Sequence, residues 1–404
     1  MGDDSRLPIS RTEFVALMAM ITSIMALSID AMLPALPDIA ATFALTNIND
    51  VQFVLVAMFA GFAFGQVFAG PLSDHFGRKP LIYFGFVIYI IGGILALIAN
   101  DFLLLLFGRV CQGMGAGTVR IVSVALVRDC LSGRQMASIM SNIMAIFILV
   151  PTFAPFLGQV VLWFGHWRHI FAMLLGIAII AAIWFHLRMG ETIRTKRPLA
   201  VRSIKDGIVE ALSDRVFVGY TVMSGLIFGA FMGYLNSAQQ LFQVAYDTAE
   251  WFPAYFGMTA LAIGAAGLFN ARFVVAFGTE FMIKYALCGM AGLSSCMAVF
   301  LLFASAPLWL FLLWVLLLFF AVGVLFGSLQ ARALVSMGHI AGLTSALSGS
   351  LSTFLGLPLG WVVGAAFSGS IFPVVIGFAI ISVCALILFG WIVRTSKSDE
   401  KMHL

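Results

Sequence analysis

FVALMAMITSIMALSIDAML, residues 14–33, is twenty residues long and holds one charged side chain, Asp30. An α-helix rises 1.5 Å per residue, so about 20 consecutive apolar residues cross the hydrocarbon layer of a bilayer. The stretch reads as a membrane-spanning helix. Working outward, twelve such stretches appear: 14–33, 51–71, 81–99, 103–126, 137–160, 169–188, 216–238, 253–275, 281–304, 306–329, 341–366 and 371–393. The runs are continuous, whereas the strands of a membrane β-barrel alternate over about ten residues. The whole chain of 404 residues is 62% hydrophobic and 10% charged. Soluble domains are nearer half apolar and a quarter charged. The expected fold class is therefore an all-α membrane protein of twelve transmembrane helices.

Charge sidedness orients these spans. With the N-terminus placed in the cytoplasm, Arg168 falls at the outer face, and Arg109 and Arg120 fall within a span. The other 19 of the 22 Lys and Arg fall at the cytoplasmic side, among them Arg78, Lys79, Arg128, Arg194, Lys196, Arg197 and Arg332. Asp38, Asp50, Asp101, Asp247 and Glu250 fall at the outer side. This is the positive-inside pattern, and it predicts both termini in the cytoplasm. The net charge of +4 is explained by topology, so no nucleic-acid partner is called for. Asp3, Asp4 and Arg6 precede a first apolar run too long for a signal-peptide core, which reads as a retained helix. The five cysteines lie mostly inside spans and form neither a disulfide framework nor a metal spacing.

The longest polar stretch, 188–215, divides the spans six and six. The expected organisation is an N-terminal six-helix bundle over 1–187, a cytoplasmic linker over 188–215 and a C-terminal six-helix bundle over 216–404. Transporters built from repeats have this layout, with substrate bound between the halves near the midplane. A faint internal repeat supports it. His75-Phe76-Gly77-Arg78-Lys79 follows the second span, and Ala276-Phe277-Gly278-Thr279-Glu280 follows the eighth without the basic pair.

Several motifs carry a resemblance. Gly70-Pro71-Leu72-Ser73-Asp74-His75-Phe76-Gly77-Arg78-Lys79-Pro80 resembles the loop between spans two and three of the major facilitator superfamily, with His75 in place of the usual basic residue. Ser28 to Pro37 resembles the first-helix signature of its twelve-span drug:proton antiporters of the bicyclomycin/chloramphenicol-resistance type. Arg109-Val110-Cys111-Gln112-Gly113 resembles their fourth-helix motif, and Trp167 to Phe171 their entry to the sixth helix. Pro151-Thr152-Phe153-Ala154-Pro155-Phe156-Leu157-Gly158 resembles the fifth-helix antiporter motif, with Ala154 where many members have glycine. The match runs in order through the N-terminal half; the C-terminal half matches mainly in layout. The resemblance implies a major facilitator fold and a multi-pass protein of the bacterial inner membrane. It also implies a cytoplasmic gate at Asp74, Gly77, Arg78 and Lys79, and an antiporter role for Pro151, Ala154, Pro155 and Gly158.

The chemistry-bearing residues point the same way. Asp30 is the one acid well inside a span. A carboxylate there is costly, by about 2.5–3.5 kcal/mol or more, and taking a proton relieves that cost. A carboxyl protonated on one side and ionised on the other is what proton coupling needs. Arg109 lies at a similar depth in the fourth span and cannot discharge itself, so a pairing with Asp30 is expected. Arg120 is eleven residues after Arg109 and shares its helix face. Gln112, Arg120, Asn142, Tyr234, Asn236 and Gln239 are candidates for substrate binding. Gly61, Gly65, Gly113, Gly115 and Gly117 read as small residues for close helix approach. The expected function is proton-driven export of small amphiphilic compounds by a monomer with no cofactor and no metal; import of a small metabolite is the alternative on the same fold. No nucleophile–base pair marks an enzyme.

Overall fold

The computed structural model describes residues 9–131, 133–193 and 201–402. Asp3, Asp4, Arg6, Arg194, Lys196 and Arg197, which entered the charge reading, lie outside them. The described residues are mostly helical, with no strand among them, and twelve of the helical stretches are long and apolar enough to cross a membrane. The helices are α1 (Arg11–Asp30), α2 (Leu36–Thr42), α3 (Phe53–Phe76), α4 (Arg78–Leu97), α5 (Phe102–Cys130), α6 (Gly133–Phe164), α7 (Arg168–Arg188), α8 (Val201–Ser213), α9 (Arg215–Gln240), α10 (Phe252–Phe277), α11 (Thr279–Leu301), α12 (Leu308–Ala333), α13 (Ala341–Ala365) and α14 (Phe372–Met402).

Capping residues set several of these starts. Ser10 accepts from the Glu13 amide at α1, Asp101 from the Leu104 amide at α5, and Asp214 from the Phe217 amide at α9. Each side chain satisfies an amide that the first helical turn leaves free. Proline ends α1. Pro34 has no N–H to give the Asp30 carbonyl, so the helix stops at Asp30 and the first span continues as a 3₁₀ turn (Leu33–Ala35) and α2.

The chain forms two compact units, Met1–Ile204 and Lys205–Leu404. Within the first, α1 packs on α6, α3 on α5, and α4 on both α5 and α7. Within the second, α9 packs on α13, α10 on α12, and α11 on both α12 and α14. Counted as spans, each unit pairs its first helix with its fifth, its second with its fourth and its third with its sixth. The repeat that is faint in the sequence is thus plain in the packing. In the 188–215 stretch, α8 is fastened to the second unit, where Glu210 pairs with His339 at 2.9 Å and Ala211 is fully buried.

Glycines set the distance between α3 and α5. A methyl group on Gly61 or Gly65 of α3 would strike the carbonyl of Val110 or Met114 on α5. One on Gly113 or Gly117 of α5 would strike the carbonyl of Met58 or Phe62 on α3. The two backbones therefore touch through reciprocal gaps, as packing in lipid favours. Gly113→Ala is expected to destabilise the protein by about 1–3 kcal/mol, the usual cost of overpacking. Gly176→Ala on α7, where an added methyl meets open space, should leave stability unchanged or raise it. Thermal unfolding of the two variants in detergent compares them directly.

Candidate functional site

The break in α1 opens a backbone carbonyl inside the first unit. In an unbroken helix the Ser28 carbonyl would accept from the Met32 amide, but Met32 turns to Ile29 at 3.2 Å. Arg109 fills the gap. It is fully buried on α5 and donates through Nη2 to the Ser28 carbonyl at 3.0 Å, through Nε to the Val54 carbonyl at 3.2 Å and through Nη1 to Gln112 Oε1 at 3.1 Å. Its guanidinium also stands 5.8 Å from the centroid of the Phe171 ring on α7. Ser28 gives its one hydroxyl proton to the Ile24 carbonyl at 2.6 Å, so in its 2.5 Å contact with Tyr89 the tyrosine hydroxyl is the donor. One buried network therefore joins α1, α3, α4, α5 and α7.

Asp30 lies two residues beyond Ser28, 5% exposed at the end of α1. The expected pairing with Arg109 is not formed in this structure. Arg109 spends its donors on carbonyls and on Gln112, and among the described residues Asp30 makes neither an ion pair nor a side-chain hydrogen bond. The reason is the helix break, which offers Arg109 a carbonyl at Ser28. The fifth-helix motif lies against the same place. Pro151, Ala154, Pro155 and Gly158 all belong to the continuous helix α6, with Ala154, Pro155 and Gly158 buried. A methyl on Gly158 would strike the Ala31 carbonyl, one residue from Asp30.

A second cluster sits at the α3–α4 junction. Arg78, nearly buried, pairs with Asp74 at 2.6 Å and with Asp129 at 2.7 Å, and it donates to Ser73 Oγ at 2.5 Å. Gly77 has φ of +116°, a conformation that favours glycine. Its turn presents the amides of Arg78 and Lys79 to the Glu191 carboxylate at 3.0 and 3.1 Å. Lys79 Nζ donates to the Met189 carbonyl at 2.6 Å. Asp74, Gly77, Arg78 and Lys79 are thus brought together, with Asp129 and Glu191 as partners that the sequence reading missed. Glu191 carried no signal beyond its sign.

The second unit holds a counterpart with exchanged charges. Gly278 (φ +82°) follows α10 as Gly77 follows α3. Glu280 in the first turn of α11 pairs with Arg332 at 2.9 Å, and Arg332 lies over the Tyr220 ring at 5.6 Å. Asp129 and Arg332 are each the penultimate residue of their helix, α5 and α12. The basic pair absent from the sequence repeat is replaced by an acid whose partner changed sign with it.

The substrate candidates divide by unit. Gln112 is fully buried, and its Nε2 has no hydrogen-bond partner among the described residues. Arg120 stands 5.6 Å from the ring centroids of Phe62 and Phe147. Asn142 on α6 is exposed. Tyr234, Asn236 and Gln239 all lie buried on α9. Tyr234 packs against Phe256 and Phe319, the Asn236 carboxamide has no hydrogen-bond partner among the described residues, and Gln239 donates to Gln243.

Comparison with known proteins agrees with this architecture. The family model described as Major Facilitator Superfamily matches residues 18–357. The chain is 27% identical to the bicyclomycin resistance protein homolog of Haemophilus influenzae, over 87% of this chain and 88% of that one. It is 28% identical to the multidrug resistance protein MdtL of Citrobacter koseri, over 93% and 94%. Among solved structures, the human organic anion transporter MFSD10 has a TM-score of 0.71 at 16% identity, covering 94% of this chain and 100% of that one. The xylose transporter XylE from E. coli has a TM-score of 0.69 at 16% identity, covering 95% and 99%. These two show a shared fold.

The exchanged pair is open to a charge-reversal cycle. Glu280→Arg and Arg332→Glu should each lower thermal stability, and the double variant should recover most of the loss. Both side chains are partly exposed, so the coupling expected is about 0.2–1 kcal/mol. A double variant no more stable than the sum of the singles would show that the pair is not coupled.

Proposed function

The chain belongs to the Major Facilitator Superfamily, and we propose that it exports small amphiphilic compounds, drugs among them, in exchange for protons by alternating access. The observation that carries the proton half is Asp30. It is a buried carboxyl with no cation beside it among the described residues, placed where α1 breaks, two residues from the carbonyl that holds Arg109 and next to Ala31, whose carbonyl meets Gly158 of the fifth-helix motif. A carboxyl so placed is neutral with a proton and costly without one. A cycle that alternately exposes it to the two sides of the membrane converts proton entry into work. One proton crossing is worth about 2.3 kcal/mol per 100 mV.

The export half is supported by the relatives, which carry resistance names over nearly their whole length. Within the first unit Gln112 and Arg120, and within the second Tyr234, Asn236 and Gln239, are the polar groups offered to substrate, each set taken by itself; Asn142 is the more exposed candidate. Aromatic and apolar walls with few polar groups accept varied ligands. The Asp74–Arg78–Asp129 cluster acts as the latch of the cycle. The chain is a transporter rather than an enzyme, with protons as its coupling ion and no cofactor. It works as a monomer in the bacterial inner membrane with both termini in the cytoplasm, as its charge sidedness supports.

Asp30→Asn keeps the shape of the side chain and removes its titration. It is expected to cut pH-gradient-driven export in inside-out vesicles at least tenfold, and to abolish proton release on substrate addition to purified protein. Undiminished proton release in the variant would exclude Asp30 as the coupling site.

A further inference from the structure

Arg120 meets no counter-charge among the described residues. Among the described residues it makes neither an ion pair nor a hydrogen bond; its neighbours are the ring of Phe62 on α3 and the ring of Phe147 on α6, each 5.6 Å from its guanidinium carbon. Its side chain is partly exposed, but not by reaching the end of the helix. Cys130, the nearer end of α5, is ten residues away, which is about 15 Å of rise and longer than an arginine side chain. The charge is therefore carried well inside the span, and guanidinium stays protonated there.

The neighbouring charges sharpen this. Asp30, Arg109 and Arg120 are the charged side chains deep within the spans of the first unit. Arg109, on the same face of α5, already spends its donors on two carbonyls and Gln112. With Asp30 protonated, this interior holds two positive charges and no negative one. Both rings stand beside the Arg120 guanidinium, each 5.6 Å from its central carbon, a contact worth about 0.5–2 kcal/mol that uses none of its N–H donors. That leaves its N–H edge, the part that binds a carboxylate in two-point fashion.

Resting on the transport reading above, we propose that Arg120 receives an anionic group of the transported compound, with Phe62 and Phe147 against its ring-bearing body. The substrate class is amphiphilic organic acids, and a carboxylate is the group that fits the guanidinium edge. Such a ligand supplies the missing negative charge while protonated Asp30 adds none. The site thus discriminates by charge at Arg120 and tolerates variety in the body that follows.

The test uses a matched pair, 1-naphthoate and its neutral isostere 1-naphthamide, titrated against the purified full chain in neutral detergent with thermal stabilisation as the readout. Naphthoate is expected to bind at least tenfold tighter than naphthamide. That ratio should fall at least tenfold in Arg120→Gln and be partly kept in Arg120→Lys, with both variants eluting as monodisperse as the parent. Equal binding of the two compounds, no stabilisation by naphthoate, a ratio unchanged in Arg120→Gln, or stabilisation by phosphatidylglycerol alone would overturn the proposal. Export in inside-out vesicles separates it from the reading on which it rests. Charge-blind binding beside intact proton-driven export sinks the Arg120 assignment alone; naphthoate preference without any proton-driven movement sinks the export reading instead.

Discussion

Hydrocarbon offers a polar group no partner, and the first span of this protein breaks inside it. The site is organised around that break. Pro34 withholds the amide that would continue α1, Met32 bonds to Ile29, and the Ser28 carbonyl is left open. A buried arginine has the opposite need, with donors in excess and no way to lose its charge. Arg109 and the Ser28 carbonyl answer each other, and Val54, Gln112 and Phe171 complete the shell. One side chain thereby ties four helices of the first unit and fixes the end of α1, on which Asp30 sits.

That arrangement depends on close backbones. Gly61, Gly65, Gly113 and Gly117 let α3 and α5 touch, and only then does a guanidinium on α5 lie within reach of the Val54 carbonyl on α3. Gly158 does the same for α6 and the turn after Asp30. The motifs that resemble signatures of a family are, in physical terms, points where two helices meet without a side chain between them. The second unit repeats the pairing of helices, while its ion pair runs from Glu280 to Arg332 where the first unit runs from Arg78 to Asp129. What is kept is the geometry of the junction, which either sign order satisfies.

Hydropathy, charge sidedness and proline placement are local or cumulative properties, so they are legible in the chain alone. From them follow the twelve spans, the division near residue 200, the close approach at the glycines and the depth of Asp30, Arg109 and Arg120. Partner choice is a different matter, because it is settled by which helix faces meet across long separations in sequence. Depth alone suggested that Arg109 pairs with Asp30. Depth cannot register that a broken helix offers a carbonyl two residues earlier, and a charged donor takes the acceptor that is open and near. Tyr89, Asp129 and Glu191 went unassigned for the same reason: each acquires its role from a neighbour between 51 and 113 residues away.

The sequence by itself determined that this chain crosses the membrane twelve times and carries a lone acid and two arginines where charge is costly, because transfer free energy is a sum over residues. Only the tertiary structure decided how those charges are met. Arg109 is met by two backbone carbonyls and Gln112, Asp30 has no cation among the described residues, and Arg120 stands beside two phenylalanines, because a hydrogen bond or an ion pair depends on ångström distances between helices that the order of residues does not contain.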